Sequence, residues 1–384
     1  MNRYHFSTLF AAGPLGLVLL ALSAAGQSTS PATAPASSPR ATPAVAHDPV
    51  VVDAKTEAII KGALKYLAAK QKPNGAWVSP NDAHPVAVTG YAIMAFLAAG
   101  QLPDQGEYGK NVRMGVEFLL SQARTDGNIS SSDNVLAGKQ ISSMYDHGIA
   151  SIALGEVYGQ TPDPKVREVV ANSVKLIVGC QNSEGGWRYT PRPESADISV
   201  TVLQLVALRV AKNGGIAVPQ STIDRAIQYV KNCYDRPSGG FTYMAFGEAV
   251  GGSRTNTAVY GHGFARTAAA IYSLQICGDY DDPLIASGSK YLLDNYANDR
   301  QWYTYGNFYA APAQYMVGGA VWEKWYTLLK TELLGKVITQ GGDKTIAYWD
   351  GIDANGRDIG TSYCTAIYTM ILAMPYHYVP VYQR

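Results

Sequence analysis

The chain has 384 residues, 47% hydrophobic and 16% charged, which is too apolar for disorder and long enough to bury a large core. Its 31 Lys and Arg balance 30 Asp and Glu; without a basic field, binding to a nucleic-acid backbone is disfavoured as the main task. Tyr (26) far outnumbers Phe (8), and a ring with a polar tip suits a wet cavity wall or an interface as well as ordinary half-buried helix positions.

The chain opens with segments that precede any fold. Met1–His5 carries Arg3, Phe6–Leu22 is largely apolar, and Ser23–Gly26 supplies small residues for cleavage, so residues 1–26 read as an export signal and the localisation as periplasmic or secreted. Gly13, Pro14 and Gly16 interrupt the apolar run, so no integral span is expected there or later in the mature chain. Residues 27–50 form a Pro/Ala/Ser-rich linker with too few large apolar groups to fold. The folded domain is expected over 51–384. All four cysteines, Cys180, Cys233, Cys277 and Cys364, fall within it. They lack metal-ligand spacing, and four cysteines allow three pairings, so buried thiols and disulfides both stay open.

From residue 51 onward one device recurs. In "KGALKYLAAKQKPNGAW" an apolar pair, Tyr66 and Leu67, is followed by Gln71, Gly75 and Trp77. In "LIVGCQNSEGGW" the same order gives Leu176, Ile177, Gln181, Gly185 and Trp187. Weaker copies run through Phe118, Leu119, Ala123, Gly127 and Ile129, and through Tyr229, Val230, Tyr234, Gly239 and Phe241; worn ones are expected near Tyr291–Trp302 and Trp325–Trp349. The markers recur every ~47–61 residues, as in repeat architectures. Each unit reads as a helical hairpin: an amphipathic helix such as "TEAIIKGALKYLAAK", a glycine that ends it at positive φ, and a second helix beyond. The Gln amide is placed to bond backbone freed at the helix end, and the Trp ring to fill the seam.

The second helices differ in kind. "VAVTGYAIMAFLAAG", "HGIASIALGEVYG", "SVTVLQLVALRVA", "RTAAAIYSLQICG" and "TSYCTAIYTMILA" are apolar nearly all round and rich in small residues. Such helices are buried on every side and approach one another closely. The predicted fold is therefore all-α: an α/α toroid of about six hairpins, with the second helices inside and the amphipathic ones outside.

The copy carrying Gln71, Gly75 and Trp77 resembles the QW motif of squalene and oxidosqualene cyclases. The whole of 51–384 is similar to the prenyltransferase/squalene oxidase repeat group, which contains terpenoid cyclases and protein prenyltransferase β subunits; the tail "MPYHYVPVYQR" resembles those of exported bacterial members. The resemblance implies the toroid, with Gln71, Gly75, Trp77, Gln181, Gly185 and Trp187 as structural motif residues. It does not bring the known chemistries with it. The cyclases' Asp-x-Asp-Asp acid is matched in letters by Asp279-Tyr280-Asp281-Asp282 of "GDYDDP", but this stretch, with the sole adjacent Asp pair, falls in a loop between repeats. The prenyltransferases' zinc ligands are missing, because "GGFTYMAFGEAVGG" has no Cys and Cys364 has no nearby His. The α-macroglobulin thioester domains, which share the fold, need Cys-x-x-Gln, and "GCQN" lacks that spacing. No metal and no cofactor is expected.

Aligning the inner helices by their small residues sets Thr89, His147, Thr201, Thr267 and Thr365 at one level near the first turn, with all amino ends at one mouth of a central cavity. Helix dipoles and free N–H groups make that mouth attractive to acidic groups. Around it the sequence brings Asp146 and His147 of "MYDHG", Asp197 of "SADISVT", His262 and Arg266 of "GHGFART", Tyr305 and Tyr309 of "YTYGNFY" (with Tyr303 beside them), and Tyr363. Asp146, His147 and Asp197 are the candidate catalytic groups; Thr201, His262, Arg266, Tyr305, Tyr309 and Tyr363 are the candidate ligand contacts. Each has a plainer reading. The aspartates suit helix N-caps, His147 could bond a neighbouring repeat, Arg266 could neutralise Asp197, and the tyrosines could simply pack. Three functions stay open: an exported toroid binding a small molecule or protein in or around its cavity, an isoprenoid enzyme with a non-standard acid, or a carbohydrate-active enzyme using a carboxylate pair. A plugged cavity favours a scaffold, a deep dry one an isoprenoid site, and an open one with two carboxylates sugar chemistry.

Overall fold

A computed structural model describes residues 50–380 apart from 132–134, 137–138, 141–142, 246–248, 251–252, 255–260 and 343–344. All of these lie in the unit His47–Arg384. The expected export signal, and the linker up to residue 49, fall outside the described residues.

Among the described residues thirteen helices build two layers. The outer ones are α1 (Ala54–Lys70), α3 (Gly109–Ser121), α5 (Pro164–Gly179), α7 (Gln220–Asn232), α9 (Pro283–Asn295) and α11 (Gly319–Lys336). The inner ones are α2 (Pro85–Ala98), α4 (Ser143–Gln160), α6 (Ile198–Asn213), α8 (Phe264–Ile276), α10 (Tyr303–Val317) and α13 (Thr361–Ala373), the last preceded by the short α12 (Ala354–Ile359). Each inner helix packs on the next in that order, and α13 returns to α2, so the ring closes. Nearly every residue of α2, α6, α8 and α13 is buried, as expected of helices apolar all round.

Small residues set the spacing within the ring. A methyl group on Gly90 would lie 2.5 Å from Ile149, one on Gly148 2.8 Å from Leu203, and one on Gly155 2.6 Å from Val210. These pairs match equivalent heights on successive helices, so the inner helices run parallel with their amino ends together. The seam between first and last units is sealed by a hairpin, Ile338–Gln340 paired with Ile346–Tyr348. It packs on α1, where the rings of Tyr66 and Tyr348 stack at 4.7 Å. No described helix is long and apolar enough to cross a membrane.

The recurring device is a clip. The indole N–H of Trp77 donates to the Leu67 carbonyl at 2.7 Å, that of Trp187 to Ile177 at 2.7 Å, and that of Trp349 to Leu333 at 2.8 Å. The marker's backbone N–H is then held by the inner helix. Trp77 donates to Thr89 Oγ1 (2.9 Å), Ile129 to His147 Nδ1 (3.1 Å), Trp187 to Thr201 Oγ1 (3.1 Å), Phe241 to Thr267 Oγ1 (3.0 Å) and Trp349 to Thr365 Oγ1 (3.2 Å). The glutamines reach outward as well as back. Gln71 Nε2 donates to the carbonyls of Gly75 and Asn111, both at 2.9 Å, and Gln181 Nε2 to those of Gly185 (2.8 Å) and Thr222 (2.9 Å), stitching each corner to the next outer helix. Glycine is required where the two touch: Gly185 has φ +99°, and a methyl group there would lie 2.2 Å from the Arg225 carbonyl oxygen.

The fifth copy departs from the pattern. Trp302 does not enter the seam; it stands at φ 60° ahead of α10 and is 44% exposed. No described glycine with positive φ falls between α9 and α10, so this corner turns differently. Asp299 caps Phe264 N–H at 2.7 Å there. The sixth copy, worn in sequence, is a full clip through Trp349. Thr201→Val tests the clip: it removes the acceptor and leaves the buried Trp187 N–H unpaired, for an expected loss of about 1–3 kcal/mol in urea denaturation. An unchanged midpoint would show that the contact is incidental.

Candidate functional site

The amino ends of the inner helices surround a cavity of about 620 Å³. Every inner helix contributes from its first two turns: Ala87, Val88 and Tyr91 from α2, Tyr145, Asp146 and Ile149 from α4, Ser199 from α6, Ala265 and Arg266 from α8, Tyr305 from α10 and Tyr363 from α13. The corners add His84, Tyr189, Tyr243, Gln301 and Trp302, and α12 adds Asn355 and Ile359. Deeper in the ring the hollow ends on packed rings: Tyr309 meets Tyr305 edge-on at 5.0 Å and Phe308 at 4.9 Å, and Phe308 meets Tyr91 at 5.1 Å.

The wall is aromatic with a few fixed polar groups. Tyr145 stacks on Tyr189 at 6.1 Å, and the hydroxyls of Tyr189 and Tyr243 are hydrogen-bonded to each other. Tyr305 donates to the Ser199 carbonyl at 3.1 Å, and Tyr363 meets Tyr91 edge-on at 5.2 Å. Burial pushes the Tyr145 and Tyr363 phenols well above their ordinary value, so these groups face a ligand as neutral hydroxyls. Asp146, in the first turn of α4, is the carboxylate of the described wall, and Arg266 the guanidinium. Arg266 extends over the Tyr243 ring, 5.6 Å from its centre, and donates to the Gly261 carbonyl. Burial lowers its pKa, yet a guanidinium stays charged.

The structure brings Asp146, Arg266, Tyr305 and Tyr363 together in the wall. Other residues singled out from the sequence stand elsewhere. Asp197 is fully buried as the N-cap of α6, accepting from Val200 N–H at 2.9 Å, with Arg188 Nε 3.9 Å from its outer oxygen. Its expected partner Arg266 is thus replaced by Arg188. Burial raises the Asp197 carboxyl to about 6, against the opposing hydrogen bond from Val200 and charge of Arg188. His147 and Thr201 are fully buried clip residues, each with its acceptor atom used by a marker N–H. Burial lowers the His147 imidazole to about 4. His262 sits outside the wall, its Nδ1 2.8 Å from the Tyr291 hydroxyl. Tyr309 is fully buried and is not among the lining residues. The four cysteines are free thiols, three of them buried. Among the described residues no group of three His, Cys, Asp or Glu side chains is arranged to hold a metal ion.

Sequence reasoning did not single out Tyr91, Tyr145, Tyr189 or Tyr243 for the wall, and took Trp302 only as a repeat marker. A signal existed for two of them: Tyr189 and Tyr243 each stand two residues after a marker, Trp187 and Phe241, on the link between that corner and the following inner helix.

Fold and cavity together define the class: an α/α toroid with its hollow at the amino ends of the inner helices. Solved structures bear out the fold. An inactive variant of the α-1,6-mannanase GH76A of Salegentibacter sp. HEL1_6, in complex with α-1,6-mannotriose, is similar with a TM-score of 0.60 at 10% identity, over 84% of this chain and 99% of that one. Cellobiose 2-epimerase from Spirochaeta thermophila gives 0.60 at 13% identity over 84% and 96%. The type II terpene cyclase MstE from Scytonema, with geranylgeranyl dihydroxybenzoate, gives 0.52 at 14% identity over 84% and 98%. No protein-family model matches the sequence, and no curated protein does.

Proposed function

We propose that this protein is an exported toroid that binds a small molecule in the cavity at the amino ends of its inner helices. The observation that carries this reading is the cavity itself: about 620 Å³, lined by aromatic side chains from every side and holding a few fixed polar groups, the usual makeup of a ligand pocket. Binding is favoured over bond-breaking chemistry because the second candidate carboxylate, Asp197, is enclosed as a helix cap rather than presented to the hollow. Similar folds that take a mannotriose and a geranylgeranyl compound supply the first ligands to try. Export rests on residues 1–26.

Isothermal titration with α-1,6-mannotriose, cellobiose and geranylgeranyl dihydroxybenzoate tests the reading. At least one is expected to bind, and Tyr305→Ala, which removes a stacking face from the wall, is expected to weaken it roughly tenfold. Asp146→Asn is expected to weaken a hydroxylated ligand, and the melting temperature of the variant separates that effect from a structural one. Binding of a ligand that neither substitution affects would move the site elsewhere.

A further inference from the structure

Arg266 is the one guanidinium in the described cavity wall, and its contacts explain its position but not its charge. Its described partners are a backbone carbonyl, Gly261, and the face of Tyr243. Among the described residues no carboxylate forms an ion pair with it. Of the described acids, Asp299 acts on Arg266 by its charge but directs an oxygen to Phe264 N–H at 2.7 Å, and Asp197 is held by Val200 N–H and flanked by Arg188. A half-buried guanidinium with no carboxylate in direct contact among the described residues keeps N–H donors and charge to offer a ligand, although Asp299 acts on it from nearby. An anion arriving beside it in an aromatic, poorly hydrated wall meets a stronger attraction than in water.

We infer that the cavity takes a ligand carrying a carboxylate, held by the Arg266 guanidinium, with the body of the ligand laid against the tyrosine wall. This inference rests on the proposed binding function and names the chemical class of its ligand. The planar fork of Arg matches a carboxylate with two parallel hydrogen bonds. Asp146 sets the orientation. It stands on α4, separated from α8 in the ring by α6, and its negative charge disfavours the acid end there relative to Arg266. The carboxylate can belong to an acidic sugar or to an isoprenoid acid; both present the same group to Arg266.

Two probe pairs that differ chiefly in charge separate these sources: 4-nitrophenyl glucuronide against 4-nitrophenyl glucoside, and farnesoate against farnesol. In titrations of the full chain at low salt, the acid of one pair is expected to bind at least about tenfold more tightly than its neutral partner. That preference should shrink as salt is added. It should vanish in Arg266→Gln and survive in part in Arg266→Lys, which keeps the charge and loses the fork. If the neutral member binds as well as the acid in both pairs, or no probe binds at all, the inference is overturned. The first outcome leaves the cavity as a binding site, and the second leaves that reading to its own ligand panel. A preference for the acid that persists in Arg266→Gln also overturns it, by placing the anion on another group. The melting temperature of each variant shows whether it is folded.

Discussion

Trp187→Ala is expected to destabilise the protein by about 3–5 kcal/mol, the range for removing a buried large aromatic. The ring is 1% exposed. It fills the seam between α5 and α6, and its N–H ends on the Ile177 carbonyl near the last turn of α5. Alanine would leave a cavity and an Ile177 carbonyl with only the weak Cys180 thiol donor at 3.6 Å. Trp302→Ala is the contrast. That residue belongs to the same repeat position but is 44% exposed and lines the cavity, so its loss is expected to cost about 1 kcal/mol or less and to act on ligand binding instead. Guanidinium denaturation of both variants measures the difference. Comparable losses at the two positions would mean that the seam tryptophans are not what holds the hairpins together.

The second expected result concerns pH. His147 is buried neutral and binds a proton more weakly in the fold, at about 4, than in the open chain, at 6.5. Its contribution is therefore complete above pH 6.5 and is lost as the pH falls toward 4. Asp197 has the opposite sign. Its carboxyl is raised from 3.8 to about 6, so its contribution is complete below pH 3.8 and is lost as the pH rises through 6. Each shift amounts to roughly 3 kcal/mol at ~1.4 kcal/mol per pH unit, and between pH 4 and 6 they nearly cancel. Removing one should uncover the other. Asp197→Asn, which keeps an N-cap side chain, is expected to gain stability from pH 4 to 6.5 relative to wild type. His147→Thr, which restores the hydroxyl used by the neighbouring clips, is expected to lose stability from pH 4 to 6. Denaturation midpoints at half-unit pH steps measure both, and wild-type slopes in both variants would refute the assignment.

Particular residues show how far sequence reading reached. Gln71, Gly75 and Trp77 stand within a few positions of one another, and their order expresses a local need: a helix end, a left-handed turn, an aromatic wedge. The level of Thr89, His147, Thr201, Thr267 and Thr365 was legible for the same reason, because small residues repeat at fixed distances along helices that pack alike. What those side chains do at that level was not. A threonine or histidine near a helix start looks the same in sequence whether it faces a hollow or accepts from a backbone N–H in the next layer. Asp146 and Asp197 likewise both precede or open an inner helix, yet one lines the wall and the other is sealed as a cap, because α4 begins one turn earlier relative to its aspartate than α6 does.

By itself the sequence determined the helical hairpins, their number and their two layers, since hydrophobic periodicity and corner glycines act over a few residues. Only the tertiary structure decided which tyrosines share a cavity, which arginine stands beside Asp197, and that Arg266 is left facing the hollow. Those outcomes depend on closing the ring, where residues from six hairpins meet at distances that no local pattern encodes.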